Sequence, residues 1–344
     1  MRDGVPGFAT LRDVARHAGV SLATADRVVN RRGGASARST ARVEAAVAAL
    51  DFRPDPRAAD LSRKRLTRLG LVVPRGENPF FSDIAREARC AAADLGGRRV
   101  LVEVVETDIF SPRALALELV ALGERMEGLA VVGFDHPLVA EAVDALEAKG
   151  VAVVTLVSDV PRSARRRYIG IDNRAAGRVA GSLVGRFLGR GGGRVGVLVA
   201  SLGLTDHLER LAGFRDTIAG RFPAVEIADV LEGRDERGVT RAKVSALLAG
   251  GAIDAIYNAG AANAGVADAL GEAGAATIFV GHELTQETRP LILSGVMDAA
   301  IVQSAGHEAR SALRLLLAEL TGAAVVEDQE RIRIEILMAD NLPG

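Results

Sequence analysis

The stretch from residue 10 to residue 30, TLRDVARHAGVSLATADRVVN, constrains the fold of this chain more than any other segment. It predicts two short helices, of which Thr10 can cap the first, with Asp13 three residues later as an acidic capping-box partner. Gly19 supplies the turn, and Ser21 can cap the second helix. This layout is typical of a helix-turn-helix, whose second helix lies in the DNA major groove. An ordinary helical hairpin is the alternative interpretation.

The predicted second helix has an exposed face that would carry the candidate DNA contacts. This face comprises Leu22, Ala23, Asp26, Arg27 and Asn30. A third helix is predicted over residues 36–50, where apolar residues recur at helical spacing and would complete a small three-helix core. Its apolar positions are Val43, Ala46, Val47 and Leu50.

Charge is distributed unevenly along the chain. Residues 1–68 hold fourteen Lys and Arg against seven Asp and Glu, a net charge of +7, whereas the remaining residues carry −8. A basic head on an acidic body is typical of a polyanion-binding module joined to a domain that does not bind DNA. A merely solvated basic tail is the alternative, and the helical periodicity within the head argues against it.

Length and composition limit the class of protein. A chain of 344 residues, 49% hydrophobic and 25% charged, is expected to form two or three soluble globular domains. We find no apolar run of the ~18–20 residues that a membrane helix needs and no signal-peptide core, so no membrane partner is predicted. Cys90 is the single cysteine, which excludes an intramolecular disulfide and fits a reducing cytoplasm. The five histidines show no metal-ligand spacing, and neither a metal site nor a cofactor is predicted.

From Leu69 onward, apolar strands such as LGLVVP and GLAVVGF alternate with amphipathic helices. This alternation predicts parallel sheets covered by helices on both faces. About 275 residues of such units suggest two doubly wound halves rather than one. Between head and core, residues 52–65 (FRPDPRAADLSRKR) are predicted to hold a short helix that orders only against a partner or DNA.

The segments LRDVARHAGVSLATADRVVN, LGLVVPRGENPFFSDIAREA, GIDNRAAG, ERLAGFRD and FVGHE, in this order and spacing, resemble the lactose-repressor (LacI) family of bacterial transcription regulators. The resemblance implies a small all-α helix-turn-helix head, a hinge helix, and an α/β core like the periplasmic sugar-binding proteins, with two doubly wound parallel-sheet subdomains. The implied boundaries are 1–51 for the head, 52–66 for the hinge and 67–344 for the core. The implied subdomains are about 67–170 with 304–326, and about 171–303 with 327–344. The implied crossings between them lie near Ile169–Asp172, Gln303–Ser304 and Glu327–Glu330.

In the head, the resemblance implies that Leu22, Ala23 and Arg27 read bases, and Arg27 can bond a guanine edge bidentately. Ser21, Thr24 and Asn30 match phosphate-contacting positions, which set register. Leu61 falls where the family's hinge helix inserts a leucine into the minor groove. These roles imply a homodimer on a pseudo-palindromic double-stranded operator. The alternatives are a surface salt bridge for Arg27 and ordinary linker packing for Leu61.

In the core, the resemblance implies a small-molecule effector bound by Phe80, Phe81, Arg210, Asn258, Glu283 and Gln303, with Asn263 a further candidate. Carboxylate, amide and guanidinium groups over an aromatic platform suit sugar hydroxyls, which both donate and accept. One phenylalanine is expected in the core, and Arg210 could instead pair with Glu283 across a closed cleft. Leu156 stands where several relatives carry an acid, with Ser158 and Asp159 just beyond. A sugar acid, a polyol or a cyclitol therefore stays open.

An enzyme and a secreted transport-binding protein are the competing interpretations. The glycine run GRGGGR at 189–194 follows a predicted helix and precedes a strand, whereas a dinucleotide-binding loop follows a strand and opens a helix. We recognise no catalytic triad and no P-loop, so no enzymatic activity is predicted. The sequence therefore predicts a cytoplasmic, effector-responsive regulator, with a sugar-like effector or alternatively a nucleoside, cyclitol or small acid.

Overall fold

A computed structural model describes residues 9–29, 33–50, 52, 66–76, 78–95 and 100–343. The chain divides into two compact units, Met1–Arg65 and Leu66–Gly344. Two predicted DNA contacts, Asn30 and Leu61, lie outside the described residues, as does most of the predicted hinge at 52–66.

The described part of the first unit contains three helices, α1 (Leu11–Ala18), α2 (Leu22–Val29) and α3 (Ala37–Ala49). Thr10 and Asp13 form the predicted capping box at the start of α1, and Gly19 ends that helix in the left-handed region at φ 59°. The Ser21 hydroxyl accepts a hydrogen bond of 3.1 Å from the backbone N–H of Thr24, which caps α2. The predicted start and stop signals of the helix-turn-helix are therefore confirmed.

Small apolar side chains form the core of the first unit. The buried members are Val14, Ala15, Ala18, Ala25, Val43, Ala46 and Phe52. Val28, Val29, Val47 and Leu50 are partly buried and pack against them. All three helices contribute to this core, as the apolar spacing predicted.

A five-stranded parallel sheet forms the first half of the second unit, with the order β2-β1-β3-β4-β5. Its strands are β1 (Thr67–Pro74), β2 (Val100–Thr107), β3 (Gly128–Val131), β4 (Ala152–Leu156) and β5 (Arg167–Ile169). The helices between them are α4 (Pro79–Leu95), α5 (Pro112–Gly123) and α6 (Pro137–Ala148). We call this half, together with the later helix that packs on it, the N-lobe.

A six-stranded sheet forms the second half, with the order β11-β10-β9-β8-β6-β7. Its strands are β6 (Gly193–Val199), β7 (Val225–Glu232), β8 (Ala255–Asn258), β9 (Ile278–His282), β10 (Ala299–Val302) and β11 (Glu335–Leu337). The intervening helices are α7 (Asn173–Leu188), α8 (Thr205–Arg221), α9 (Arg237–Ala249), α10 (Asn263–Ala273) and α11 (Thr288–Leu293). We call this half the C-lobe. The prediction of parallel sheets is confirmed for its other strand pairs, and only the edge strand β11 runs antiparallel to its neighbour β10.

The chain passes between the lobes more than once. It leaves the N-lobe after β5 and enters the C-lobe at α7. After β10 it returns as α12 (Ala305–Thr321), which packs against α4, β3 and β4 of the N-lobe. It then continues through the short helix α13 (Glu327–Glu330) to β11 in the C-lobe. Both lobes are therefore completed by segments distant in sequence.

The glycine run lies between helix and strand. Helix α7 ends at Leu188, a 3₁₀ turn spans Gly189–Gly191, and β6 begins at Gly193. Gly192 has φ 68°, and a Cβ there would clash with the backbone of Ala224, so this connector requires glycine. The predicted role of the run as a helix-to-strand connector is confirmed. In the described ranges, no helix has the length and apolar character needed to cross a bilayer.

Candidate functional site

A cavity of about 510 Å³ lies between the N-lobe and the C-lobe. It is lined by residues at or just beyond the carboxyl ends of strands of both sheets. Among these are Pro74, Asp108, Val132, Val157, Arg234, Gly260, Glu283 and Gln303. The carboxyl ends of parallel strands form the edge at which open α/β sheets bind ligands. The volume lies within the ~300–1,000 Å³ that is usual for small-molecule sites.

Two aromatic rings form the N-lobe wall of the cavity. Phe80 and Phe81 both line it, with ring centroids 5.6 Å apart at 63°. They lie in the first turn of α4, where the Asn78 side chain accepts a 3.0 Å hydrogen bond from the Phe80 backbone. Phe80 is only 6% exposed and belongs to the N-lobe core, whereas Phe81 is half-buried. Phe81 is therefore the ring with more surface free to contact a ligand.

Arg210 is a buried cation on α8 and lines the same cavity. Its Nε donates to Asn173 Oδ1 at 2.9 Å, and its Nη1 donates to the carbonyl of Ala259 at 2.9 Å. Burial opposes the charge, but nearby Asp206 and Glu283 favour it, and the pKa of Arg210 is raised overall. Two of its three nitrogens are thus anchored by protein, which fixes the direction of Nη2.

Glu283 and Gln303 form a buried pair at the ends of β9 and β10. Glu283 accepts hydrogen bonds from Gln303 Nε2 at 2.9 Å and from the Gln303 backbone N–H at 3.3 Å. Burial is the main cause that raises the pKa of Glu283 to about 7, while Arg210 and the Gln303 hydrogen bonds act in the opposite direction. Among the described residues, Glu283 is hydrogen-bonded to Gln303 rather than to Arg210.

The two candidate asparagines lie in different places. Asn263 lines the cavity and donates to the His282 carbonyl at 2.9 Å. Asn258 is not among the described lining residues; its amide donates to the Ala261 carbonyl and to Asn263 Oδ1 and accepts from the Gly260 backbone. The structure thus differs from the prediction that Asn258 contacts effector, because its polar atoms hold the loop after β8.

Asp206 and His207 are buried cavity residues that the sequence analysis did not single out. His207 Nδ1 accepts a 2.9 Å hydrogen bond from the Ala200 backbone, which leaves the proton of a neutral ring on Nε2. That Nε2 lies 3.5 Å from Asp206 Oδ2. Asp206 stands one helical turn before Arg210 on α8, so helical spacing was the signal that could have identified it.

His282 also lines the cavity, directly before Glu283. Its Nε2 shares a 3.0 Å hydrogen bond with the hydroxyl of Tyr257. Burial, reinforced by the nearby Arg210 charge, lowers the pKa of His282 well below its ordinary value. The ring is therefore neutral, and its Nδ1 remains available to a bound molecule.

Side chains of the loop after β7 contact the N-lobe across the cavity. Asn78 of the N-lobe donates to Asp235 Oδ2 of the C-lobe at 3.0 Å. The Arg234 guanidinium lies 5.2 Å from the centroid of the Phe110 ring. Burial raises the pKa of Asp235, despite opposing effects of His207 and the Ala261 backbone. The loop after β7 therefore contacts both walls of the cavity.

The end of β4 supplies a hydroxyl rather than an acid. Leu156 is fully buried and belongs to the N-lobe core, and Ser158 lines the cavity. Asp159 is bound by Arg165 through Nε at 2.6 Å and accepts from the Val160 backbone at 2.8 Å. The Asp159 carboxylate is thus engaged within the N-lobe.

Several buried polar atoms on cavity-lining residues have no hydrogen-bond partner among the described residues. They are Ser158 Oγ, Asp206 Oδ1, Arg210 Nη2, His282 Nδ1 and Gln303 Oε1. Leaving one such group unpaired costs about 1–3 kcal/mol. A ligand that offered hydroxyl groups would recover that cost at several atoms together.

Backbone strain is concentrated around the same cavity. In the described chain, the non-glycine residues with left-handed φ are Val157 (62°), Arg234 (55°), Asp235 (57°), Ala262 (57°) and Glu283 (67°). All of them line the cavity. Sparsely populated conformations cost of order 1–3 kcal/mol each and cluster at ligand clamps and switch regions.

In the first unit, helix α2 and the residue that caps it present an exposed face. Ser21, Leu22, Ala23 and Arg27 are exposed, and Leu22 retains 45% of its surface. Thr24 is half-buried on the same helix. The opposite face, with Ala25, packs into the core of the unit. The predicted base-reading side chains therefore share an exposed surface.

Two family models match the chain. Residues 69–324, about three quarters of the chain, match the periplasmic binding protein domain. The chain belongs to that family. Residues 10–55 match the bacterial regulatory proteins of the lacI family, so the recognised combination of a lacI-family head and a periplasmic-binding-protein-like core is confirmed.

Individual relatives agree with both assignments. The ribose operon repressor of Halalkalibacterium halodurans is 37% identical over 99 residues, 29% of this chain and 30% of that protein. The sucrose operon repressor of Lactococcus lactis is 32% identical over 148 residues, 43% of this chain and 45% of that protein. The matches thus span less than half the length of these curated relatives. A glucose-galactose binding protein from Geobacillus stearothermophilus shares the fold, with TM-score 0.73 and 22% identity over 81% of this chain and 100% of that one.

Proposed function

We propose that this protein is a sequence-specific DNA-binding transcriptional repressor whose operator affinity is controlled by a sugar-like effector in the cavity between the lobes. The observation that carries this proposal is the set of unpartnered buried polar atoms around the cavity. They belong to a core that follows a lacI-family helix-turn-helix head. The function therefore combines a DNA-binding unit with a ligand-binding one.

The chemistry of the cavity favours a polyhydroxylated ligand. Arg210 Nη2 is a donor, Gln303 Oε1 and Asp206 Oδ1 are acceptors, and the Ser158 hydroxyl is both. A sugar hydroxyl also donates and accepts, so a ligand with several hydroxyl groups matches both kinds of unpartnered atom. Phe81 offers a half-buried aromatic surface for the apolar face of a sugar ring.

The buried charges favour a neutral ligand over an anionic one. Arg210 is the buried guanidinium of the described lining residues, and Asp206 lies beside it with Nη2 to Oδ2 at 4.0 Å. Glu283 adds further negative charge once it ionises. An anionic sugar acid would meet these carboxylates at close range, whereas a neutral sugar or polyol gains hydrogen bonds from them.

For the head, we assign base readout to Leu22, Ala23 and Arg27, because these side chains are exposed on the second helix of a helix-turn-helix. Arg27 would bond a guanine edge, and Ser21 and Thr24 would contact phosphates. Since such heads read half-sites in pairs, the proposed partner is a pseudo-palindromic duplex bound by a homodimer. A DNA target also places the protein in the cytoplasm.

Calorimetry tests the effector assignment. D-ribose, D-galactose, sucrose and myo-inositol are titrated into the full-length protein, with D-gluconate as the anionic probe. At least one neutral compound is expected to bind, and D-gluconate is not. Arg210→Met is expected to abolish that binding, whereas Arg186→Met, an exposed arginine on α7, should retain it. Binding of D-gluconate alone, or of none of these compounds, would contradict the assignment.

The DNA assignment is tested separately. A random duplex library is selected on the full-length protein, and the enriched sequences are aligned. We expect an inverted repeat whose half-sites depend on the side chain at Arg27. Enrichment of no sequence over the starting library would contradict specific DNA binding, whatever the calorimetry shows.

A further inference from the structure

A continuous set of hydrogen bonds leads from the cavity to the N-lobe. Arg210 Nε donates to Asn173 Oδ1 at 2.9 Å, and Asn173 Nδ2 donates to the Tyr168 hydroxyl at 2.8 Å. The Tyr168 hydroxyl lies 2.9 Å from the carbonyl of Val157 and 3.3 Å from the carbonyl of Ile171. Arg210 lines the cavity from the C-lobe, and Val157 lines it from the N-lobe.

This set of bonds spans the first crossing between the lobes. Tyr168 belongs to β5 of the N-lobe, and Asn173 is the first residue of α7 in the C-lobe. The crossing therefore lies between the two side chains. A Cβ at Gly170 would clash with the Tyr168 hydroxyl, so the crossing segment folds closely against that group. A change in the hydrogen bond between Asn173 and Tyr168 therefore alters the contacts of the crossing segment.

The donor and acceptor of each bond in this set are fixed up to the Tyr168 hydroxyl. The Asn173 amide has one orientation, because its oxygen accepts from Arg210 and its nitrogen donates to Tyr168. The Tyr168 hydroxyl accepts that bond and retains a single proton to donate. Burial holds the pKa of Tyr168 well above its ordinary value, so the proton stays on the phenolic oxygen. Two carbonyls, those of Val157 and Ile171, compete for it.

The competing carbonyls belong to different structures. Val157 is a cavity-wall residue with left-handed backbone at φ 62°, and Ile171 belongs to the crossing segment. A hydrogen bond to Val157 keeps the Tyr168 hydroxyl on the N-lobe wall of the cavity, whereas a hydrogen bond to Ile171 directs it to the crossing segment.

We propose that Tyr168 and Asn173 are positioning residues that transmit effector binding at Arg210 to the crossing between the lobes. This inference rests on the proposed function, since it names how the effector controls operator affinity. An effector that bonds to Arg210 Nη2 shifts the guanidinium, and the Asn173 amide moves with it. The Tyr168 hydroxyl then donates its proton to the other of the two carbonyls. The coupling between effector and DNA then depends on one hydroxyl group.

Tyr168→Phe removes this hydroxyl and keeps the ring. Tyr257→Phe is the matched control, because its hydroxyl bonds to His282 within the C-lobe and does not span the crossing. For parent and variants, operator dissociation constants are measured by fluorescence anisotropy on the selected duplex, without and with saturating ligand. The ligand is the strongest binder among D-ribose, D-galactose, sucrose and myo-inositol, and its affinity for each variant is measured by calorimetry. The readout is the ratio of the two operator constants, which does not depend on effector affinity once the ligand saturates.

The parent ratio is expected within the roughly 5–150-fold range of allosteric coupling. Tyr168→Phe is expected to bind the ligand and the duplex but to reduce the ratio towards one, while Tyr257→Phe keeps the parental ratio. A parental ratio in Tyr168→Phe would overturn the proposed role of Tyr168 and Asn173 and leave the proposed function intact. If the ratio of operator constants in the parent protein is one with every ligand, the proposed function is overturned, and the proposed role of Tyr168 and Asn173 falls with it.

Discussion

Glu283 receives both a side-chain and a backbone hydrogen bond from Gln303, at 2.9 Å and 3.3 Å. Gln303 is the residue that follows β10, directly before the chain returns to the N-lobe as α12. The carboxylate therefore connects the cavity to a second crossing between the lobes. A ligand hydroxyl that bonds to Glu283 competes with Gln303 for the same oxygens.

Glu283→Gln should change how stability depends on pH. Because the folded pKa of about 7 exceeds the ordinary value of 4.5, Glu283 favours the folded state most at low pH. That contribution is lost as pH rises from about 4.5 to about 7. Glutamine does not ionise, so the variant avoids this loss. The free energy of unfolding of Glu283→Gln minus that of the parent should therefore increase from pH 5 to pH 8, by at most ~3 kcal/mol. Urea denaturation at both pH values measures the difference, and a constant difference would contradict the buried, readily protonated carboxyl.

Gly177→Ala should weaken effector binding without touching the cavity. Gly177 on α7 faces the backbone of Arg210 on α8 so closely that a Cβ would clash with its carbonyl. The methyl group must push α8 away and displace the guanidinium, and we expect at least a tenfold loss of ligand affinity in calorimetry. Gly220→Ala is the control on α8, since a Cβ there meets nothing within 4 Å. Equal ligand affinity in the two variants would refute the close-packing argument.

The two cavity phenylalanines should respond differently to truncation. Phe80→Ala removes a core side chain that is 6% exposed and should destabilise the protein by ~3–5 kcal/mol. Phe81→Ala removes a half-buried ring and should mainly lower ligand affinity, with a smaller loss of stability. Denaturation and calorimetry on both variants separate the effects. The assignment fails if Phe81→Ala binds ligand as the parent does.

Arg27→Ala should reduce discrimination between operator and scrambled duplex by ~1–3 kcal/mol and leave effector binding unchanged. The control is Arg16→Ala, an exposed arginine on α1, the helix that crosses the DNA backbone in such heads. Loss of this side chain should weaken binding to both duplexes by the same factor. Anisotropy with both duplexes measures the ratio, and undiminished discrimination by Arg27→Ala would be inconsistent with base readout.

Local signals in the sequence were sufficient for the head. Thr10, Asp13 and Gly19 act within a few residues of their partners, so spacing alone predicted the capping box and the left-handed turn that the structure contains. Apolar periodicity also identified the alternating core. It did not predict the antiparallel strand β11, because three residues are too few to show an apolar periodicity.

The cavity could be predicted only in part. Resemblance placed Arg210 and Glu283 at its wall, but Asp206 and Asp235, which lie on different elements, come together only in the folded C-lobe. Asn258 shows the opposite difficulty. The resemblance suggested a ligand contact for this side chain, whereas its amide is used by the loop that follows β8. Which polar atoms remain unpartnered is a property of the folded lobes, and sequence spacing does not contain it.

Operator affinity with and without a bound sugar tests the central claim most directly. The parent protein is measured by anisotropy on its selected duplex, at saturating concentrations of the strongest binder among the neutral sugars and myo-inositol. We predict that ligand raises the operator dissociation constant roughly 5–150-fold. A dissociation constant that is the same with and without saturating ligand would contradict an effector-controlled repressor.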